Sequence, residues 1–176
     1  MKDATSPAVT AALAAAGFEL PHAKPAALKP PFRLHEGELA LPELKMMTGT
    51  LVVIGNLSIK GPVALRRDSR PLAHVIVVGS CTLGTAYIDG FLVVRDELRA
   101  DVLIADASWD GGIFVGKDLH ADTLAIHNTA MTIKGATHAR VHANSERSEA
   151  AQEALPALFQ NGDVDAYGYF TSLTDG

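Results

Sequence analysis

Two imidazoles and a carboxylate form the densest chemistry in this chain. His120 and Asp122 alternate along "DLHADT", and His138 recurs in the next segment of similar texture, "THARVHA". If the two segments are adjacent strands about 4.8 Å apart, two ring nitrogens and a carboxylate can converge on an ion such as zinc. Arg140 falls beside Asp122 in the same comparison, and a cation there opposes a second cation. The expectation is therefore a solvated charge ladder with an Asp122–Arg140 pair and no metal. A second constellation is "ADASWDGG", where Asp106 and Asp110 bracket Trp109. Two carboxylates beside an aromatic plane suit acid/base work on a sugar. The same residues also suit an Asp-Gly-Gly turn with Trp109 shielding a corner. No GxSxG elbow, Walker loop, dinucleotide fingerprint or HExxH is present. Neither an enzyme nor a cofactor is expected, and Trp109 is kept as a binding candidate.

Positioning such groups requires a scaffold, and composition limits which one. The chain has 176 residues, 48% hydrophobic but only 6% aromatic, so its core is built from Val, Ile, Leu and Ala. Fifteen basic residues stand against 20 acidic ones, a net charge of −5, which argues against a nucleic-acid partner. The single cysteine, Cys81, has no intramolecular partner; a buried thiol in a reducing compartment is expected. The N-terminal alanine-rich run is too weakly apolar for a leader, and no segment reaches the roughly 18 apolar residues of a membrane span. A cytoplasmic protein without membrane contact follows as the expectation.

From about residue 49 one pattern recurs: an apolar stretch, a polar corner, then an alternating stretch. The apolar blocks end at Ile54, Val78, Val94, Val115 and Ile133, separated by 24, 16, 21 and 18 residues. Uneven spacing with a retained pattern is the mark of a solenoid, whose coils return to one register while their corners vary. The last three coils align residue by residue: Leu98, Leu119 and Thr137; Arg99, His120 and His138; Ala100, Ala121 and Ala139; Asp101, Asp122 and Arg140. Alternate residues of a strand face opposite sides, so the Leu and Ala columns point inward and the charged columns outward. Each strand then pairs with its counterpart one coil away. A βαβ sheet would need amphipathic crossover helices between Val75 and Ala143, and none is spelled there. The run Leu98, Ile104, Asp110 breaks the six-residue rule of left-handed hexapeptide helices. The predicted fold is an all-β, right-handed parallel β-helix with short N-terminal and C-terminal capping helices.

The ends frame this solenoid. Ser6, Pro7, the alanine run and Gly17 spell a helix over Pro7 to Ala16. Five prolines between Pro21 and Pro42 predict an extended arm without regular structure. Ser145 as N-cap, with Glu146 and Glu149 in the first turn and Pro156 as a limit, predicts a second helix. The expected division is 1–48 as helix and arm, 49–144 as solenoid, and 145–176 as helix and tail, with Tyr167, Tyr169 and Phe170 docking the tail. Covered ends predict a monomer or small closed oligomer.

The run from "HVIVVGS" through "VGKDLHADTLAIHN" resembles the bactofilin-like, polymer-forming cytoskeletal solenoids of bacteria, whose coils repeat an apolar triplet, Gly and an Asp-Leu pair. The resemblance spans roughly 50 to 143; "SCTL" and "RDEL" depart from it, and the helical ends differ from that family's disordered tails. It implies a non-enzymatic scaffold or binding protein. The function expected is therefore a protein-interaction scaffold that presents a rigid face carrying Arg99, Asp101, Lys117, His120, Asp122, His138 and Arg140. An immunity-type inhibitor of a bacterial toxin is the alternative, and a carbohydrate-active β-helix enzyme the second.

Overall fold

A computed structural model describes residues 1–21, 28–66, 72–107, 111–144, 148–160 and 163–174. The chain opens with β1 (Lys2–Ala4) and α1 (Ser6–Ala15). Six coils follow. The first contains β2 (Phe32–Glu36), β3 (Leu39–Leu41) and β4 (Leu44–Met46); the second contains β5 (Gly49–Ile54), β6 (Leu57–Ile59) and β7 (Val63–Leu65). Each later coil has two strands: β8 (Ala73–Val77) with β9 (Cys81–Ile88), β10 (Phe91–Val94) with β11 (Leu98–Ala105), β12 (Gly112–Val115) with β13 (Leu119–Ile126), and β14 (Ala130–Ile133) with β15 (Thr137–Asn144). The C-terminal segment contains α2 (Ser148–Ala154), a 3-10 turn at Pro156–Leu158 and α3 (Ala166–Thr174).

Every coil strand pairs in parallel with the same strand of its neighbours, as a β-solenoid requires. The register joins Leu98 to Leu119 to Thr137 and Ala100 to Ala121 to Ala139, the alignment read from the sequence. The strand at Gly112–Val115 therefore lies between β10 and β14 and has no hairpin partner.

The long strands β9, β11, β13 and β15 bend partway. β9 pairs with β6 through Cys81–Leu83 and with β7 through Ala86–Ile88, and the pairing of β11 with β13 skips Asp101 and Asp122. The stack is thus three-sided. Face A holds β2, β5, β8, β10, β12 and β14. Face B holds β3, β6 and the first halves of the long strands; face C holds β4, β7 and their second halves. Columns of Leu, Val and Ile from all three faces meet inside, with Cys81 between Leu57 and Leu98. Burial raises the Cys81 thiol to about 12, so it stays protonated and packs as a small hydrophobe.

Faces A and C are apolar outside as well as inside, as expected of strands buried on both sides. The outer column Leu34, Val52, Ile76 and Val93 of face A is covered by Val9 and Leu13 of α1. Thr5 rather than Ser6 caps this helix, its Oγ1 accepting the Ala8 N–H at 3.4 Å. The outer column Ala64, Tyr87, Ile104, Ala125 and Ala143 of face C is covered by Ala151, Leu158, Ala166 and Phe170. Tyr167 and Phe170 pack against the Tyr87 ring, as the tail's aromatics predicted. Capping helices are thus present at both ends of the chain, and the apolar surface that they bury lies on the flanks of the stack. The proposed cap at Ser145 and Glu146 lies outside the described residues; Glu149 does stand in the first turn of α2.

The stack also begins earlier than residue 49. β2, β3 and β4 form a complete coil inside the segment expected to be a proline arm. Proline removes a donor but leaves a carbonyl, and here prolines stand between strands: Pro31 accepts the Thr50 N–H and Pro42 the Gly61 N–H, both at 2.9 Å. Among the described residues, no helix is long and apolar enough to cross a membrane.

Candidate functional site

Among the described residues no helix covers face B. Its strands alternate strictly, "LRAD" in β11 and "LHAD" in β13, with Leu and Ala inward and polar residues outward. The register stacks the outward residues Ala40, Ser58, Thr82, Arg99, His120 and His138 in one column. Across its last coils runs an open groove of about 760 Å³, bounded along the B–C corner by Asp101, Asp122 and Arg140.

The structure brings Arg99, His120 and His138 together, with the two imidazole rings stacked at 4.7 Å. Arg99 leans away from this column onto Glu97, Nη2 to Oε2 2.9 Å. Asp101, Asp122 and Arg140 are exposed at the bend. The expected Asp122–Arg140 pair does not form: among the described residues no ion pair within 4.0 Å joins them, because both stand where the strands bend and the pairing is interrupted. Lys117 occupies the opposite edge of the face, at the A–B corner, where it binds Asp96 at 3.0 Å. Arg95, at 2.9 Å, and Lys117 together hold the Asp96 carboxyl below its usual range. Trp109 and Asp110 lie outside the described residues.

Asp106, the described member of the sugar-site constellation, accepts a hydrogen bond from Tyr87 Oη at 2.8 Å and faces His127 Nε2 at 4.0 Å. Burial, then the Asp106 charge, pushes the Tyr87 hydroxyl well above its ordinary value, so it remains a donor to that carboxylate. This bond ties the outer surface of face C to the corner that follows. His142 continues the inward column of Leu103 and Leu124 into the last coil.

One residue of this face escaped the sequence reading. Asp118, two positions before His120, is brought near both imidazoles: one ligand atom from each of Asp118, His120 and His138 lies within 4.8 Å of the others. Alternation runs in both directions along a strand and puts Asp118 on the same outward side as His120, but it puts Asp122 there equally, so it does not choose between them.

No family model matches this chain, and neither does a curated protein or a solved structure.

Proposed function

We propose that this protein is a non-catalytic scaffold that binds a protein partner through face B. The carrying observation is the unequal treatment of the three faces. Two are apolar outside and covered by the chain's own helices, whereas the third is polar, rigidly spaced and, among the described residues, covered by no helix. A parallel stack fixes these side chains at the strand spacing, so the charge pattern is preorganised and a complementary partner loses little freedom in meeting it. Asp101, Asp122 and Arg140 are exposed there and supply charges of both signs. The bactofilin-like texture of "VGKDLHA" supports the same reading.

The test is a charge swap, Asp122→Lys with Arg140→Glu. It keeps the net charge and leaves the interior untouched, so the melt should stay within about 0.5 kcal/mol of wild type. Tagged wild-type and swapped proteins would be used as bait in one native lysate. Loss of a specifically retained protein by the swapped bait is the expected result, with slower association once that protein is purified. Equal retention by both baits would remove face B from the reading.

A further inference from the structure

We propose that Asp118, His120 and His138 form a binding site for a divalent transition-metal ion, with zinc as the reference ion. The site shares face B with the docking reading but stands without it. The solenoid register sets His138 directly beside His120, with ring centroids 4.7 Å apart and planes within 15°. Ligand atoms of all three residues already lie within 4.8 Å of one another. With zinc bonds of about 2.0–2.2 Å, two donors on a tetrahedral centre stand roughly 3.5 Å apart. The donors must close by about 1 Å, which side-chain rotation at the surface supplies without moving the backbone.

Asp118 is held for this task. Its Oδ1 accepts the Ala136 N–H at 2.7 Å, and a Cβ at Gly135 would collide with that same oxygen. Two coils of the stack use this corner bond: Asn56 Oδ1 accepts the Ser80 N–H at 2.9 Å. The corner therefore needs only an amide oxygen, and the carboxylate at Asp118 adds a charge that the corner does not require. The neighbouring cations are each paired with another carboxylate, Arg99 with Glu97 and Lys117 with Asp96. Arg140 lies two residues beyond His138, whereas Asp118 lies two before His120, an offset of about 13 Å along the strands at ~3.3 Å per residue. This explains why Asp118, and not Asp122 beside Arg140, completes the set. Two imidazoles and one carboxylate favour zinc, nickel, cobalt or copper over magnesium or calcium, with water completing the coordination.

The experiment is calorimetric titration of the purified full chain with zinc chloride, and with magnesium chloride as control. One zinc per chain is expected, with affinity falling about tenfold or more in His138→Ala and in Asp118→Asn, since even loss of an outer-shell partner costs 10–100-fold. Asp118→Asn keeps an oxygen for Ala136, so an unchanged melt separates lost coordination from lost structure. Gly135→Ala should weaken zinc without removing a ligand. His142→Ala, an exposed histidine at the end of the stack, should bind as wild type. Absence of zinc uptake by wild type, wild-type affinity in either ligand variant, or an equal loss in His142→Ala would overturn the site. Each of these results leaves the partner-capture experiment unaffected.

Discussion

His74 shows how one side chain on a covered flank ties stability to pH. It stands between Thr50 and Phe91 in face A, 6% exposed and stacked on the Phe91 ring at 5.2 Å. Burial lowers its proton affinity, backbone groups at Leu72 and Gly49 offset this in part, and Lys29 adds to the lowering. Among the described residues its Nδ1 has no hydrogen-bond partner. Above the ordinary histidine value of 6.5 both folded and unfolded chains hold it neutral, and its contribution is fully present. Below that value the unfolded chain takes up a proton that the folded chain resists, so stability is lost as pH falls through 6.5 toward the lowered folded value. His74→Phe keeps the ring stack and removes the titration. Melting curves from about pH 7.5 down to about pH 5 should therefore fall less steeply for the variant than for wild type. Parallel slopes would show that His74 is not the group responsible.

At the scale of elements, each strand column has a job that a single substitution can expose. The inward column of face B narrows from Leu41, Ile59 and Leu83 to Ala100, Ala121 and Ala139 along the stack. Ala121→Leu forces three carbons into a space fitted to a methyl group, at a cost of about 1–3 kcal/mol. For a chain of this size the melting temperature should drop by about 2–4 °C per kcal/mol, and an unchanged melt would mean that the interior has spare room there. α1 offers the complementary case. Val9→Asp would set an unpaired carboxylate against Val52 and Ile76, and the helix can escape only by leaving face A. Increased binding of a hydrophobic dye with an unchanged β-sheet spectrum is expected; dye binding equal to wild type would place the docking of α1 elsewhere.

For the whole molecule the question is why such a stack stops. The helices lie along the flanks, so the terminal coils need their own protection. At one end β1 pairs antiparallel with β2, and the inward positions opposite Leu51 and Val53 are Arg33 and His35. At the other end three of the inward columns finish on Thr137, His142 and Asn144, opposite Leu119, Leu124 and Ile126, while those of Ala121, Ile113 and Val115 end on Ala139, Met131 and Ile133. Polar groups in inward columns make further stacking costly, a recognised guard on exposed strand edges. Thr137→Leu with His142→Leu would extend two apolar columns to the last coil and is expected to cause concentration-dependent association in sedimentation velocity, while wild type stays a monomer or small closed oligomer. Double-variant sedimentation that matches wild type would mean that something other than these residues ends the stack. The sequence by itself determined the coil pattern, the register of the last three coils and which alternating residues face outward, because strand periodicity is local and each coil repeats the constraint. It hid the first coil, since prolines read as breakers when their carbonyls still accept at corners. It could not decide that two of three outer faces are covered, nor that Asp118 rather than Asp122 meets the imidazoles. Those facts depend on where helices dock and where long strands bend, and both are set by contacts between residues far apart in the chain.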